Sequence, residues 1–370
     1  MKLLDLIIGY LMQPLWLIGI LMIFGNYQFR LRQERKHFRI AVNKDWYEGR
    51  HFLKKGIILA VLLSSLSLLV GLLLDPKNLL IYQLVSMVLL LLTPVVETSL
   101  IGLFLSASII YGAKMLGWSF STGLTASFLG LLCLFLSGRL IMLYHPKLSF
   151  FSPRIKQGKR GRQIAAYTWR EFSVFPLLIL VPGETLHSSL NFWPLFAING
   201  HKFSLMLFPF FIGIACRVAK QAPLSAVKLY RQQTRNLLLT AVGLTIISVI
   251  FAQITPFAWL ILGIVSVWQF YQRQALDKKA QAWYVQTNDG VRVIAVQSQT
   301  PAAKMKIMPG DVILTCNGIK VSDETQLYQA LQQNAAYCKL KLKNFEGELK
   351  IAEGAIYNDS PHEIGLILFR

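Results

Sequence analysis

Long apolar runs separated by short basic stretches fill the first 275 residues, after which the rhythm changes to short alternating segments. Residues 3–24 are apolar apart from Asp5 and a break at Gln13 and Pro14, and are long enough to cross a hydrocarbon core of about 30 Å. They carry no leader of several basic residues and no small-residue cleavage site, so they read as a span rather than a removable signal. Residues 56–74 predict a second span, closed by the turn-forming Asp75, Pro76, Lys77 and Asn78. The block 79–115 is too long for one helix; Thr93, Pro94 and Glu97 near its middle predict two short spans joined by a hairpin around 94–98. Further spans are expected at 120–143, 236–252 and 256–272, the last two turning at Thr255 and Pro256. Two more, 172–181 and 203–216, flank an irregular segment that contains Pro182, Gly183, Glu184, Trp193 and Pro194, with a re-entrant element as the alternative to two spans returning to the same side. The pattern therefore predicts an α-helical multi-pass membrane domain of about seven to nine spans over 1–275, with no internal repeat or sustained heptad.

Charge sharpens this reading. Residues 1–275 hold 27 Lys and Arg against 8 Asp and Glu, whereas 276–370 hold 11 against 10. The excess lies in short stretches between apolar runs (30–55, 145–171 and 217–235), where topology signals belong, so it points to a cytoplasmic side and anionic lipid rather than to nucleic acid. An even number of crossings between basic loops leaves the tail cytoplasmic as well. The four cysteines are scattered without metal-ligand spacing, which makes them reduced packing residues and implies no metal or cofactor.

From 283 to 370, beyond a short linker at 276–282, period-two alternation predicts strands at 291–296, 311–316, 339–342, 349–352 and 364–369. Between the second and third, 322–333 predicts a helix capped by Ser322, with Leu327, Ala330 and Leu331 on one face. Pro301, Ala302 and Ala303, then Ile307, then Pro309, Gly310 and Asp311 leading into a strand, then Asn317 and Gly318, resemble the core of bacterial PDZ domains. Each of these pieces does mechanical work, since Pro301 starts a short helix, Gly310 and Asp311 turn into a buried strand, and Asn317 with Gly318 turns out of it. Lys304, Met305 and Lys306 depart from the pattern, since bacterial relatives carry a small residue and a glycine there. The resemblance implies that an extended peptide adds as a strand to a sheet edge, its carboxylate held by a backbone-lined loop. No such loop precedes Val291; on a circularly permuted order, Ile364, Gly365 and Leu366 would supply it, with Leu327 and Leu331 as the opposite wall or as plain core.

Catalytic constellations are not met. His362 and Glu363 begin a zinc-protease pattern, but Leu366 stands where the second histidine is needed. No soluble stretch is long enough for a trypsin-like domain. Glu97 and Glu184, carboxylates near apolar runs, read as structural groups at broken segments more than as a transport site. The whole architecture, with the early basic run Arg30, Arg32, Arg35 and Lys36, resembles the MinJ family of cell-division topological determinants. That resemblance implies a non-enzymatic scaffold at septum and cell poles, bridging DivIVA to the division inhibitor MinD, with membrane lipids as surroundings and self-association open. Two other readings stay open on the residues alone: a non-catalytic relative or accessory subunit of a PDZ-bearing membrane protease, and a transporter with a regulatory PDZ domain.

Overall fold

The computed structural model describes residues 3–369 apart from 94–97, 119–124, 159–160, 188–192, 194, 196–201, 281, 283, 335, 345 and 356–363. The apolar runs form α1 (Leu3–Leu11), α2 (Pro14–Phe38), α3 (Tyr47–Val70), α4 (Pro76–Leu90), α5 (Ser99–Met115), α6 (Ala126–Met142), α7 (Pro223–Ile250) and α8 (Thr255–Lys279). Helices α2, α4, α7 and α8 each carry a proline in their first turn, where its missing N–H has no helical partner to lose. The run expected as one span at 3–24 is two helices bent by 56° at Gln13 and Pro14. Helix α2 continues well into the basic stretch. Its corner with α3 is locked by Arg30, which donates to Glu48, Glu34 and the Asn43 carbonyl, while Glu34 accepts from the Val42 N–H at 2.8 Å.

Among the described residues, three helices are long and apolar enough to cross a membrane, or four if the bent α1–α2 pair counts as one; seven to nine such spans are not shown. Helices α4, α5 and α6, at 15, 17 and 17 residues, fall short of a standard span of about 20. The larger departure concerns 172–181 and 203–216. These are not helices but parts of an antiparallel sheet of β1 (Ser152–Gln157), β2 (Gln163–His187) and β3 (Lys202–Val218), in that order. Ten and fourteen apolar residues are too few for a helical span and suit strands buried on both faces. Prolines at 176 and 209 would also break helices. In the sheet they lie directly opposite each other, so their absent N–H groups fall on the outer edges of the hairpin.

Groups along those edges are paired by helices and by the segment between α3 and α4. On the β2 side the Leu178 N–H donates to Ser64 Oγ (2.9 Å), the Leu180 N–H to the Leu72 carbonyl (3.2 Å), and the Leu74 N–H to the Leu180 carbonyl (2.9 Å). On the β3 side Gln13 Nε2, Tyr82 OH and Ser99 Oγ donate to the carbonyls of Leu207, Phe211 and Gly213. An unpaired strand edge facing lipid would cost several kcal/mol per group, and each of these contacts removes that cost for the group it pairs. The hairpin follows α3 along its length: His51 and Lys55 bind Glu171, Ser64 meets Leu178 and Leu72 meets Leu180.

The tail folds into β4 (Val291–Val296), α9 (Pro301–Lys304), β5 (Val312–Cys316), β6 (Ile319–Lys320), α10 (Glu324–Gln332), β7 (Tyr337–Lys343), β8 (Leu349–Ala355) and β9 (Leu366–Leu368). The sheet order is β8-β7-β5-β4-β9, with β6 paired to β5. The tail is docked on the helical body rather than hanging from a linker. Tyr167 OH donates to the Ile294 carbonyl (2.7 Å), the Ala165 N–H to the Tyr284 carbonyl (3.0 Å), and the Gln286 N–H to the Gln163 carbonyl (3.0 Å). Ile294, Ala295, Ile367 and Phe369 join the apolar core of the body, whereas Val293, Leu366 and Leu368 join the core of the tail.

Candidate peptide-binding site

The turns of the tail are set by single residues. Pro301 opens α9; Ala302 is buried and Ala303 half-buried in the same helix. Pro309 is followed by Gly310 at φ 102°, whose N–H donates to the Val293 carbonyl (2.8 Å). The carboxylate of Asp311 then accepts from the Met308 N–H, closing the turn into β5. Asn317 and Gly318, at φ 49° and 87°, make the reversal from β5 to β6. The Asn317 side chain also accepts from the Lys339 N–H (2.9 Å) and donates to the Ala330 carbonyl (3.3 Å), tying β5, β7 and α10 together. Helix α10 is capped not by Ser322 but by Asp323, which accepts from the Gln326 N–H; the Ser322 hydroxyl pairs with Gln326 Oε1. Both are short oxygen-bearing side chains, and Asp323 is the one at the first non-helical position.

Strand β9 is the terminal strand of the sheet and pairs antiparallel with β4. Just before it, Gly365 has φ 87°, and a Cβ there would meet the Thr300 side chain at 2.3 Å, so only glycine fits. The carbonyls of Ile364 and Gly365 accept from the N–H groups of Ala302 and Gln297, strapping this loop to the start of α9. Among the described residues neither the Ile364 nor the Gly365 N–H finds an acceptor. Leu327 and Leu331 sit on the inner face of α10 and share one buried cluster with Ile364 and Leu366. The five residues expected to form the groove are thus together, with the apolar side chains packed against each other. His362 and Glu363 lie outside the described residues, as does Glu97; Glu184 is exposed near the far end of β2.

All four cysteines are unpaired thiols. Cys316 and Cys338 are adjacent in the tail core, where the hydrogen bond between them, with burial second, pushes the Cys338 thiol above its usual range while the same bond draws Cys316 down. What the pattern of residues did not reveal is the docking face. Its one signal is the unbroken apolar run from Leu366 to Phe369, which alternation would interrupt if one face of β9 met water.

Residues 278–343 match the PDZ domain family. Over an alignment of 387 residues, covering 98% of this chain and 93% of the relative, the sequence is 25% identical to the cell division topological determinant MinJ of Bacillus subtilis (strain 168). It is 29% identical over 232 residues to the probable cell division topological determinant MinJ of Lacticaseibacillus paracasei, an alignment covering 59% of this chain and 58% of that one. The protein of Lacticaseibacillus casei (strain BD-II) with the same description matches to the same extent.

Proposed function

We propose that this protein is a non-catalytic membrane scaffold of cell division, which holds a polar or septal protein of the DivIVA type and the division inhibitor MinD at one place. The observation that carries the reading is similarity along nearly the whole chain to a named division-site determinant, joined to the match of residues 278–343 to the PDZ domain family. Residues 1–275 form the membrane body, 276–282 the connection and 283–370 a cytoplasmic recruitment domain. The shared sidedness of tail and first basic loop is supported by Gln297 Nε2, which donates to the Ala41 carbonyl at 2.6 Å. Scaffolding needs no bond-making chemistry. Confinement to two dimensions raises the effective concentration of weakly binding partners, and basic loops favour the anionic inner leaflet.

Within the tail, a partner's extended C-terminal segment would add beside β9, its carboxylate taken by the Ile364 and Gly365 N–H groups and its last side chain received between Leu366, Leu327 and Leu331. The test is to image septa and the fluorescently tagged protein in its own host, with and without residues 283–370. Enrichment at septa and poles, with filaments or minicells on loss of the gene, is the expected result. Uniform membrane fluorescence with normally placed septa would overturn the scaffold reading.

A further inference from the structure

At the base of the hairpin, the strand register gathers cations on one face. Lys156 and Arg154 on β1, Arg170 on β2 and Arg217 on β3 are all same-face positions, since Lys156 pairs with Ile164, Arg154 with Ala166, Arg217 with Thr168 and Arg170 with Ala215. Lys156, Arg170 and Arg217 line a cavity of about 480 Å³ together with Arg273 and Lys278 of α8, against a single carboxylate among the described residues, Asp277. That carboxylate is already engaged: it accepts from the N–H groups of Ala219, Lys220 and Gln221, at 2.9 to 3.0 Å. Burial, and then the neighbouring Arg217, hold Arg154 and Lys156 below their ordinary values. Burial with Arg154 and Arg217 draws Arg170 down to about 10. The buried Nε of Arg154 meets no acceptor among the described residues. Arg154 lines the neighbouring pocket with Glu48, while Lys156, Arg170 and Arg217 repel one another around this partly enclosed space, beside Arg273, which donates to Gln233 Oε1 and lies over the Tyr230 ring; an anion placed there would relieve the repulsion.

The cavity is not purely polar. It shares Phe270 and Arg273 with a groove of about 1120 Å³ between α5 and α8, lined by Phe104, Tyr111, Trp259, Gly263 and Val267. The groove follows α8 from Pro256 to Arg273, a rise of about 26 Å, which exceeds the depth of one leaflet of a core of about 30 Å. A charged head and an apolar tail are therefore accommodated end to end, with the charged end beside the tail-proximal terminus of α8.

We propose that this composite cavity is a binding site for an anionic phospholipid of the inner leaflet: its phosphate sits among Lys156, Arg170, Arg217 and Arg273, and an acyl chain lies along α8. The site rests on the membrane embedding of the scaffold reading, and on nothing in its PDZ groove. It makes one lipid part of the structure, distinct from loops resting on a charged surface.

The test uses the full chain extracted from membranes into a neutral detergent and examined by native mass spectrometry with phosphatidylglycerol, phosphatidylcholine or glycerol phosphate. Phosphatidylglycerol is expected to be retained as a one-to-one adduct roughly tenfold better than phosphatidylcholine. Lys156→Gln with Arg217→Gln should abolish the preference. Ile264→Trp, which fills the exposed groove wall without touching the cations, should lower retention of both lipids. Equal retention of both lipids, adducts unchanged in the variants, glycerol phosphate binding as well as the lipid, or a dimer that excludes lipid would each overturn the site while leaving the scaffold intact. Recovery of the chain without detergent would instead remove the membrane embedding on which both rest.

Discussion

Lys306 occupies the left-handed region at φ 55°, where an L side chain costs about 1 kcal/mol that glycine does not. The sequence marks the place, because 304–306 is where the chain departs from the bacterial PDZ pattern, and the turn has kept the backbone geometry while changing the residue. Lys306→Gly should therefore stabilise the tail by about 1 kcal/mol, read as roughly fivefold slower amide exchange in β5 and β7 of the full chain. Unchanged or faster exchange would mean that the Lys350 Nζ contact to the Lys306 carbonyl depends on the lysine. Residue-scale features were the most legible ones: Gly310, Asn317 and Gly318 answer to local steric rules that need no knowledge of the rest of the fold. The cap of α10 was legible to within one residue, since Ser322 and Asp323 offer the same chemistry.

At the scale of elements, apolar composition alone could not separate a strand buried on both faces from a short helix, and 172–181 and 203–216 were expected as spans. Pro176 and Pro209 held the missing information, but only as a pair whose register the sequence does not state. The edge contacts that make the hairpin tolerable come from separate helices and were invisible for the same reason. They are testable one at a time. Ser64→Ala leaves the Leu178 N–H without its acceptor and should destabilise the body by about 1–3 kcal/mol, lowering the melting temperature of the detergent-solubilised chain by several degrees. The neighbouring Ser65→Ala is the control. Among the described residues Ser65 Oγ bonds only the Val61 carbonyl of its own helix, so its loss should leave the melting temperature within about a degree.

For the whole molecule, a seam joins the body to the tail through Ile294 and Ala295 of β4 and Ile367 and Phe369 at β9. Tyr167 is its polar anchor, reaching Ile294 across 127 positions of sequence and packing on Tyr284 at 4.7 Å between ring centroids. Tyr167→Phe keeps the packing and leaves the Ile294 carbonyl without that donor. The expected outcome is faster proteolytic cutting around 280–290 with an unchanged membrane body; an unaltered cutting rate would mean that apolar contacts alone hold the seam. This contact lies beyond what periodicity encodes, so the tail could be identified while its attachment could not.

The partners that seal the hairpin have a further property in common. Gln13, Ser64, Leu72, Leu74, Tyr82 and Ser99 all precede residue 163, so during synthesis each is made before the first residue of β2. The order of synthesis therefore makes the partners of both outer edges available before the strands they receive. Moving α3 behind the hairpin by circular permutation would reverse that order while leaving every final contact available.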